Sequence, residues 1–416
     1  MNASLAEPSL VVRDSSQIAK GKNSPEFDLL LLCARRHLTD FQAQRAREIL
    51  DQPLDWNVLL AQAQSHRLSP LLYWQVTRTL RRHFPDALGT QLNDRFRANT
   101  ARTLLLIQDL VNTVELLSRR GIQTIPFKGP VLAEMLYGDA ALRECVDLDI
   151  LVRARDVQEA IRTLLSASYE DVSSLKPAQQ SAFVATQYEY ALRSPAGTLV
   201  ELQWRTVPRY FSLFLDEEKP WNRIRPIQVC GREMNSLSPE DLLLLLSFHG
   251  SKHGWEKLIW LADVGELIAS SPQLDWGYVI DTARGAGGLR MLLLGITLAN
   301  KLLGTVIPNE IERPIARDRT AEHIAESICH RLQTSEIPTY VKSQIYLLRV
   351  RERWRDRLRY ILRFTSTGTP MEWRIVDLPP SLFVVYSFLR VLRGLAKGFG
   401  LAMNSASRLI KRRAVV

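Results

Sequence analysis

The strongest constraint on the fold is a change of pattern in the middle of this 416-residue chain. Apolar residues recur at helical spacing from Phe27 to Leu117, and Gly121 is placed to end the last helix of that section. Short strand-like segments then take over, with helical segments between them. The predicted strands are Ile122–Phe127, Leu148–Val152, Tyr188–Leu192 and Leu199–Trp204.

Turn residues join the last two predicted strands. The sequence Ser-Pro-Ala-Gly at 194–197 suits a hairpin, so these strands should pair antiparallel. Helices return at Ser238, which offers an N-cap oxygen, with Pro239 at the first helical position and Asp241 as an early negative charge. We therefore expect an α+β fold, in which a small mixed β-sheet is flanked by N- and C-terminal helical segments.

The chain divides into five expected parts. Residues up to Pro25 mix Ser, Lys and Asn without a continuous apolar run, so they resemble neither a signal peptide nor a membrane anchor. The four cysteines are scattered singly, which indicates a reducing, cytoplasmic setting. The expected parts are a disordered tail (1–25), a helical N-terminal segment (26–120), an α/β core (121–210), a helical domain (211–335) and a basic, mainly helical C-terminal segment (336–416).

Positive charge is in excess and is concentrated at the C-terminal end. The net charge of +10 favours an anionic partner, but phosphate, nucleic acid and anionic lipid would all satisfy it. After Asp377 there is no acidic residue, and the pattern suits either peripheral contact with the inner face of a membrane or an ordinary packed terminus. Nucleic acid is less favoured, because a half-solvated helix explains the arginines of 349–363 equally well. The basic residues after Asp377 are Arg390, Arg393, Lys397, Arg408, Lys411, Arg412 and Arg413.

Two carboxylates stand at the start of a predicted strand. Asp147 and Asp149 are two residues apart, so both project from the same face, while Leu148 and Ile150 point to the other. Close carboxylates repel each other unless a cation neutralises them, and oxygen ligands of this kind suit Mg²⁺ or Mn²⁺. The pair is a candidate metal site, although such triplets also occur at solvated strand ends.

A strand-to-helix turn precedes this pair. Gly129 lets the backbone turn and Pro130 suits the first helical position, so Lys128 stands beside a helix N-terminus. Free N–H groups, the helix dipole and the ammonium group together attract phosphate. The alternative is an ordinary turn without a ligand.

A third carboxylate lies in a predominantly apolar predicted strand. Glu201 is flanked by Val200 and Leu202, and an ionisable group in such a setting needs a partner. That partner is either an arginine, such as Arg143 or Arg193, or a metal ion shared with the two aspartates.

Two histidines with a lysine between them follow in the next helical region. His249 and His253 are four residues apart, so they share one helix face, with Lys252 adjacent. Zinc is disfavoured, because Gly250 stands where metalloprotease helices carry a glutamate. Contact with substrate or phosphate is favoured, with packing against Trp255 and Trp260 as the alternative.

Taken together, these fragments resemble the uncharacterised nucleotidyltransferases that are related to DNA polymerase beta and to the aminoglycoside and kanamycin nucleotidyltransferases. The resemblance extends over most of the chain after residue 27, and it depends on the order and spacing of the fragments. The matching residues are Phe127-Lys128-Gly129, Leu136-Tyr137, Arg143, Asp147-x-Asp149, Val200-Glu201-Leu202-x-Trp204, His249-Gly250-x-Lys252-His253-Gly254-Trp255, Trp260 and Asp263, with Asp55-Trp56, His66, Pro70-Leu71-Leu72-Tyr73, Leu378-Pro379-Pro380 and Leu389-Arg390 outside them.

The resemblance implies a nucleotidyltransferase that moves a nucleoside monophosphate from an NTP, with ATP expected, to a hydroxyl acceptor: a small molecule, a sugar or a peptide. It implies that Asp147, Asp149 and Glu201 bind two Mg²⁺ or Mn²⁺ ions and that Glu201 accepts the proton. The residues that it implies for nucleotide and phosphate binding are Lys128, Gly129, Arg143, His249, Lys252 and His253.

Two positions depart from the pattern. The wider superfamily usually has Ser after the glycine, where this chain has Pro130, so phosphate contacts would come from the backbone or from Lys128. The closer family commonly has His where Gln203 stands, and Gln cannot exchange a proton near neutral pH. The alternative function is therefore a catalytically inactive binding or scaffold protein that acts at an anionic membrane or polymer.

Overall fold

The computed structural model describes residues 24–366, apart from 174–176, 212 and 214, together with 385, 386, 388 and 389. Helices form most of this part of the chain, and the strands lie between α5 and α9 in the sequence, so the expected α+β class is confirmed. The helices are α1 Pro25–Cys33, α2 Asp40–Leu50, α3 Trp56–Ser65, α4 Ser69–Gln75, α5 Asp86–Ser118, α6 Gly129–Tyr137, α7 Val157–Ser166, α8 Pro177–Thr186, α9 Pro239–Lys252, α10 Leu258–Ser270, α11 Trp276–Ala286, α12 Leu289–Leu303, α13 Asn309–Arg317, α14 Arg319–Thr334, α15 Tyr340–Arg349 and α16 Trp354–Ser366.

The main sheet has five strands in the order β1-β2-β5-β4-β3. β2 and β5 pair parallel and the other neighbours pair antiparallel, so the sheet is mixed as expected. The predicted hairpin is confirmed, because β4 and β5 pair antiparallel around the 194–197 turn. The strands of this sheet are β1 Thr124–Pro126, β2 Asp147–Val152, β3 Glu170–Asp171, β4 Glu189–Arg193 and β5 Leu199–Gln203.

The two faces of the sheet differ in chemistry, because side chains alternate along each strand. Leu148 and Ile150 of β2 and Val200 and Leu202 of β5 are buried in a cluster with residues of α5 and α7. The opposite face carries the polar residues of the same strands. One face therefore packs against the helices, and the other face carries the candidate site residues.

A second buried cluster joins the helices at the two ends of the chain. It includes leucines of α1, α3 and α4 together with the leucine-rich α9, α10 and α12. Ser238 caps α9 by accepting a hydrogen bond from the Asp241 N–H, as predicted. The predicted N-terminal helical segment and helical domain thus share one core, and the division of the chain into domains remains a prediction.

A second hairpin, β6 Arg225–Val229 with β7 Arg232–Ser236, was not predicted. Cys230 and Gly231 form its two-residue turn with φ of +48° and +76°. A turn of this kind usually carries Asn or Asp before Gly. Cysteine at that position gave no turn signal.

The C-terminal end is described at only a few positions beyond residue 366. Tyr386 is buried in the cluster behind the sheet, and Leu389 packs against the same cluster. The basic residues from Arg390 onward lie outside the described residues, so their expected membrane contact or packing stays a prediction. Within the described part of the chain, no helix has both the length and the apolar character needed to cross a membrane.

Candidate functional site

Four acidic side chains share the polar face of the sheet. Asp149 of β2 is in register with Glu201 of β5, and Asp147 precedes Asp149 by two residues. Glu189 of β4 is in register with Gln203, two residues after Glu201. We call Asp147, Asp149, Glu189 and Glu201 the carboxylate face. The structure therefore brings together the three carboxylates that the sequence singled out.

Glu189 was not predicted as a site residue, although the sequence held a signal for it. The predicted hairpin starts at Tyr188, and its register alone places Glu189 opposite Gln203. Arg67, which follows α3 in a left-handed conformation with φ of +58°, was missed as well. Its guanidinium group is close enough to Asp147 to counteract part of the rise in the pKa of that carboxyl group.

The carboxylate face has an excess of negative charge. Burial, together with the neighbouring Asp149, raises the pKa of Asp147 above its ordinary value. Burial, with added repulsion from Asp149, Glu189 and Asp147, raises the pKa of Glu201 to about 8. Like charges in a half-buried setting disfavour ionisation in this way. Each carboxylate would therefore be stabilised by a nearby cation.

Neither arginine proposed as a partner for Glu201 pairs with it. Arg143 forms an ion pair with Asp263, and Arg193 donates a hydrogen bond to the Gly197 carbonyl. Among the described residues, no basic side chain forms an ion pair with Glu201. The arginine interpretation of Glu201 is thus not what the structure contains.

Asp149 is the best satisfied of the carboxylates and is only 4% exposed. The Lys128 ammonium group lies 2.9 Å from Oδ1 of Asp149, and the Gln203 amide donates to the same oxygen at 2.7 Å. Lys128 is the N-cap residue of α6, so its charge stands beside both the helix N-terminus and the carboxylate face. Gln203 cannot carry a proton, but it holds Asp149 in place.

Gly129 allows this close arrangement. Its φ is +58°, which is costly for any residue with a side chain, and a Cβ at this position would lie 3.1 Å from the carbonyl oxygen of Asp147. The first turn of α6 therefore lies directly against the start of β2. This contact places the N-terminal turn of α6 beside Asp147, the first residue of β2.

Arg143 lies in a buried cluster with Asp263 and Tyr137. Its Nε and Nη2 donate to the Asp263 carboxylate at 3.0–3.1 Å, and the Tyr137 hydroxyl donates to Oδ1 of Asp263 at 3.0 Å. Burial alone would lower the pKa of Arg143, but the Asp263 carboxylate raises it above its ordinary value. Tyr137 ends α6 and Asp263 belongs to α10, so this cluster joins the two helices. Arg143 is therefore occupied by Asp263, and a contact of Arg143 with the nucleotide remains a prediction.

His249, Lys252 and His253 lie at the C-terminal end of α9. The His249 ring is 4.7 Å from the His253 ring and 5.4 Å from the Trp260 ring, centroid to centroid. Burial and then the Lys128 ammonium group hold the pKa of His249 well below its ordinary value, so the ring is neutral at pH 7. The two histidines therefore pack on an aromatic ring, and His249 lies close to the charge of Lys128.

Lys252 is the cation that faces the carboxylates from α9. Its ammonium group lies 3.3 Å from the Tyr188 hydroxyl. Burial and the Lys128 charge lower the pKa of Lys252, while Glu189, Asp149 and Glu201 act in the opposite direction. Lys128 and Lys252 thus approach the carboxylate face from two different helices.

The end of α9 is fixed by a buried tryptophan. Gly254 and Trp255 have φ of +64° and +56°, so the chain reverses sharply after His253. The Trp255 side chain is fully buried, and its ring lies where a Cβ on Gly250 would meet it at 2.3 Å. A side chain at Gly250 would displace the ring. This packing explains why glycine stands inside the histidine motif.

The carboxylate face suits a divalent cation in its donor chemistry and its charge. Carboxylate oxygens are the ligands that Mg²⁺ and Mn²⁺ prefer, and burial together with repulsion between the carboxylates raises the pKa values of Asp147 and Glu201. As the side chains stand, no group of three or more His, Cys, Asp or Glu in the described part of the chain is arranged to hold one ion. The carboxylates of Asp147, Asp149 and Glu201 are the type of ligand that suits Mg²⁺ or Mn²⁺. Metal binding at this site remains a prediction.

Comparison with known proteins gives the family. The sequence model of a family described as an uncharacterised nucleotidyltransferase matches residues 52–304, which include the carboxylate face and the end of α9. The chain belongs to this family. No curated protein matches it. Among solved structures, an antigenic nucleotidyltransferase-like protein from Paracoccidioides brasiliensis is 15% identical, with a TM-score of 0.26 over 55% of this chain and 92% of that chain.

Proposed function

We propose that this protein transfers a nucleoside monophosphate from an NTP, with ATP expected, to a hydroxyl group of a small molecule, sugar or peptide. The observation that carries the proposal is the placement of Asp147, Asp149 and Glu201 on one half-buried face beside Lys128. A degenerate protein would have no evident reason to keep three mutually repelling carboxylates together. Family membership supports the reaction class.

In this reaction the acceptor oxygen forms a bond to the α-phosphorus, and the bond from that phosphorus to the bridging oxygen breaks, so pyrophosphate leaves. Asp147, Asp149 and Glu201 would hold the divalent cations, which when bound neutralise the triphosphate and activate the hydroxyl. Glu201 accepts the hydroxyl proton. Lys128 and the N–H groups at the start of α6 bind phosphate.

Two further groups complete the proposed roles. Lys252 and the histidines His249 and His253 contact the nucleotide from the end of α9. Gln203 orients Asp149, and Arg143 keeps α6 in place through Asp263. Pro130 donates no N–H group, so the phosphate contacts of this turn fall to Lys128 and to the next residues of α6.

One contact favours the alternative function, an inactive binding or scaffold protein acting at an anionic membrane or polymer. The Lys128 ammonium group already neutralises Asp149, and a permanent internal cation would remove the need for a metal ion. Under that alternative the carboxylates would contribute to the folded structure and would bind no metal ion. The two functions differ in whether nucleotide chemistry depends on Asp147 and Asp149.

The test uses the full chain with ATP, CTP, GTP and UTP, each labelled at the α-phosphate, with Mg²⁺ or Mn²⁺ and a small-molecule extract as the source of acceptors. New labelled products and released pyrophosphate are measured. We expect products with the native protein and none with Asp147→Asn, Asp149→Asn.

The matched control is Glu310→Gln, Glu312→Gln. These two acids are also two residues apart, but they are exposed on α13. This variant should react like the native protein. Identical product traces from the native protein and the Asp147→Asn, Asp149→Asn variant would refute the proposal.

A further inference from the structure

A cleft is lined by Lys252, the residue of α9 that also faces the carboxylates. It has a volume of about 430 Å³, within the range of small-molecule sites. One wall is the end of α9 with the loop that follows it, including Lys252 and His253. The other wall is formed by α14 and α15, including Arg331, Lys342, Tyr346 and Arg349. We call this space the α9–α15 cleft.

The walls of the cleft are held together by defined contacts. Arg331 of α14 donates a hydrogen bond to the carbonyl oxygen of Gly254, in the loop after α9. Gly254 is itself fixed by the turn that buries Trp255. The opening is therefore part of the packed structure, and one of its lysines also faces the carboxylates.

The charge of the lining is positive. Four lysine or arginine side chains face the cleft (Lys252, Arg331, Lys342 and Arg349), against two glutamates, Glu256 and Glu336. Glu336 and Lys342 form an ion pair at 2.8 Å and neutralise each other, so the positive excess comes from Lys252, Arg331 and Arg349 against Glu256. Aliphatic side chains such as Ile324 and Ile328, together with Tyr346, add apolar surface between the charges. Such a lining would attract an anionic group and would accommodate a carbon skeleton behind it.

The two walls differ in their relation to the family. The family match ends at residue 304, so the end of α9 lies inside it, whereas α14 and α15 lie beyond it. The shared wall adjoins the proposed nucleotide chemistry. The wall supplied by the rest of the chain is the part where a particular acceptor would be selected.

We propose that the α9–α15 cleft binds the acceptor, a small hydroxyl-bearing molecule that carries a phosphate or carboxylate group. Arg349 and Lys342 bind the anionic group, with Lys342 shared between that group and Glu336, and Lys252 belongs both to the cleft and to the surroundings of the carboxylates. That the bound molecule is the acceptor of a nucleotidyl group rests on the proposed function. The binding of the anion itself does not depend on that reaction.

The first experiment measures binding of glycerol 3-phosphate and of uncharged glycerol by ligand-observed saturation-transfer NMR, without nucleotide or metal. The variant Lys342→Gln, Arg349→Gln removes two charges from the cleft and should weaken binding of glycerol 3-phosphate on the order of tenfold. Ser343→Tyr, which narrows the cleft without changing its charge, should weaken binding as well. Glycerol should not bind measurably to any of these proteins.

The matched control is Arg313→Gln, Arg317→Gln, because these exposed arginines on α13 lie outside the cleft and their loss changes the net charge equally. This variant should bind glycerol 3-phosphate like the native protein. Equal weakening in both double variants, equal binding of glycerol, or no binding by the native protein would each overturn the proposal.

The second experiment joins the cleft to the reaction. The extract used as the acceptor source is divided on an anion-exchange resin. Labelled products should form from the retained, anionic fraction. With the Lys342→Gln, Arg349→Gln variant, the amount of labelled product should fall at least about tenfold. Products formed only from the unretained fraction would overturn the acceptor proposal while leaving nucleotidyl transfer intact. Anion binding in the cleft, with no product that depends on Asp147 and Asp149, would instead mean that the proposed function fails.

Discussion

The amide of Gln203 donates a hydrogen bond to Asp149, with 2.7 Å between Nε2 and Oδ1. Gln203→Leu removes one of the two donors that hold Oδ1 of Asp149, the other being the Lys128 ammonium group, so we expect a 10–100-fold loss of nucleotidyl transfer, as is typical when a residue that orients a ligand is removed. The loss should fall mainly on kcat. Steady-state measurement of pyrophosphate release gives kcat and KM separately.

Gln203→His is the informative control for that prediction. Histidine is also a polar side chain, and its ring N–H can donate to a carboxylate as the glutamine amide does. We expect it to keep most of the activity that the leucine variant loses. If the leucine variant were as active as the native protein, the hydrogen bond would have no role in orienting Asp149.

Glu201 gives the metal-free protein a defined pH dependence. Its pKa is raised by burial and by neighbouring carboxylates from 4.5 to about 8, so the folded protein binds a proton that the unfolded chain has released. The stability that this proton contributes is complete below pH 4.5 and is lost as the pH rises towards 8. In EDTA, Glu201→Gln should therefore gain stability over the native protein as the pH rises, by roughly 5 °C in Tm at pH 8.5.

Thermal unfolding from pH 5 to pH 9 tests this prediction, with Glu310→Gln as the control because that glutamate is exposed. Adding Mg²⁺ at pH 8.5 should stabilise the native protein more than Glu201→Gln, since a ligand that binds the folded state raises its stability. Parallel Tm curves for native protein and Glu201→Gln across this pH range would contradict the assigned environment of Glu201.

The placement of Asp147 and Asp149 on one face of a strand was predictable because it follows from local rules. Period-two alternation puts Asp147 and Asp149 on one face, and the hairpin turn pairs the strand of Glu201 with β4. The parallel pairing of β5 with β2, which places Glu201 beside Asp149, joins distant parts of the chain and does not follow from the turn. Partners that are distant in the chain were not predictable. Arg143 meets Asp263 120 residues away, and nothing in the local sequence distinguishes a buried carboxylate from a phosphate as its target.

For Lys128, too, the sequence predicted the local position but not the partner of the charged group. Its position beside a helix N-terminus was predicted and is confirmed, since Lys128 is the N-cap residue of α6. The anion that it contacts in the structure is Asp149, while a phosphate contact remains a proposal. Sequence indicates which charge a side chain carries, whereas packing decides which opposite charge lies within reach.

The buried ion pair of Arg143 and Asp263 gives a stability prediction. Asp263 is fully buried, so Arg143→Met would leave its carboxylate without a cation and should destabilise the protein by about 3–5 kcal/mol. Urea unfolding measures the change. The double variant Arg143→Met, Asp263→Leu should recover much of this loss, because it removes the unpaired charge. Unchanged stability with weakened nucleotide binding would instead make Arg143 a nucleotide contact.

Gly250 gives the most direct test of how the end of α9 is fixed. A Cβ there would lie 2.3 Å from Cζ3 of Trp255, so Gly250→Ala must displace the ring from its place between the helices. We expect a loss of about 1–3 kcal/mol in the free energy of unfolding, which is usual for overpacking a core. Because His253 and Lys252 precede the turn that buries Trp255, we also expect weaker nucleotide binding.

Gly285→Ala is the matched control, since this glycine lies within α11 and a Cβ there would meet no atom within 4 Å. Alanine favours a helix over glycine by up to about 1 kcal/mol, so the control should be neutral or stabilising. If both variants were equally stable, the close contact between Gly250 and Trp255 would not be what fixes Lys252 and His253.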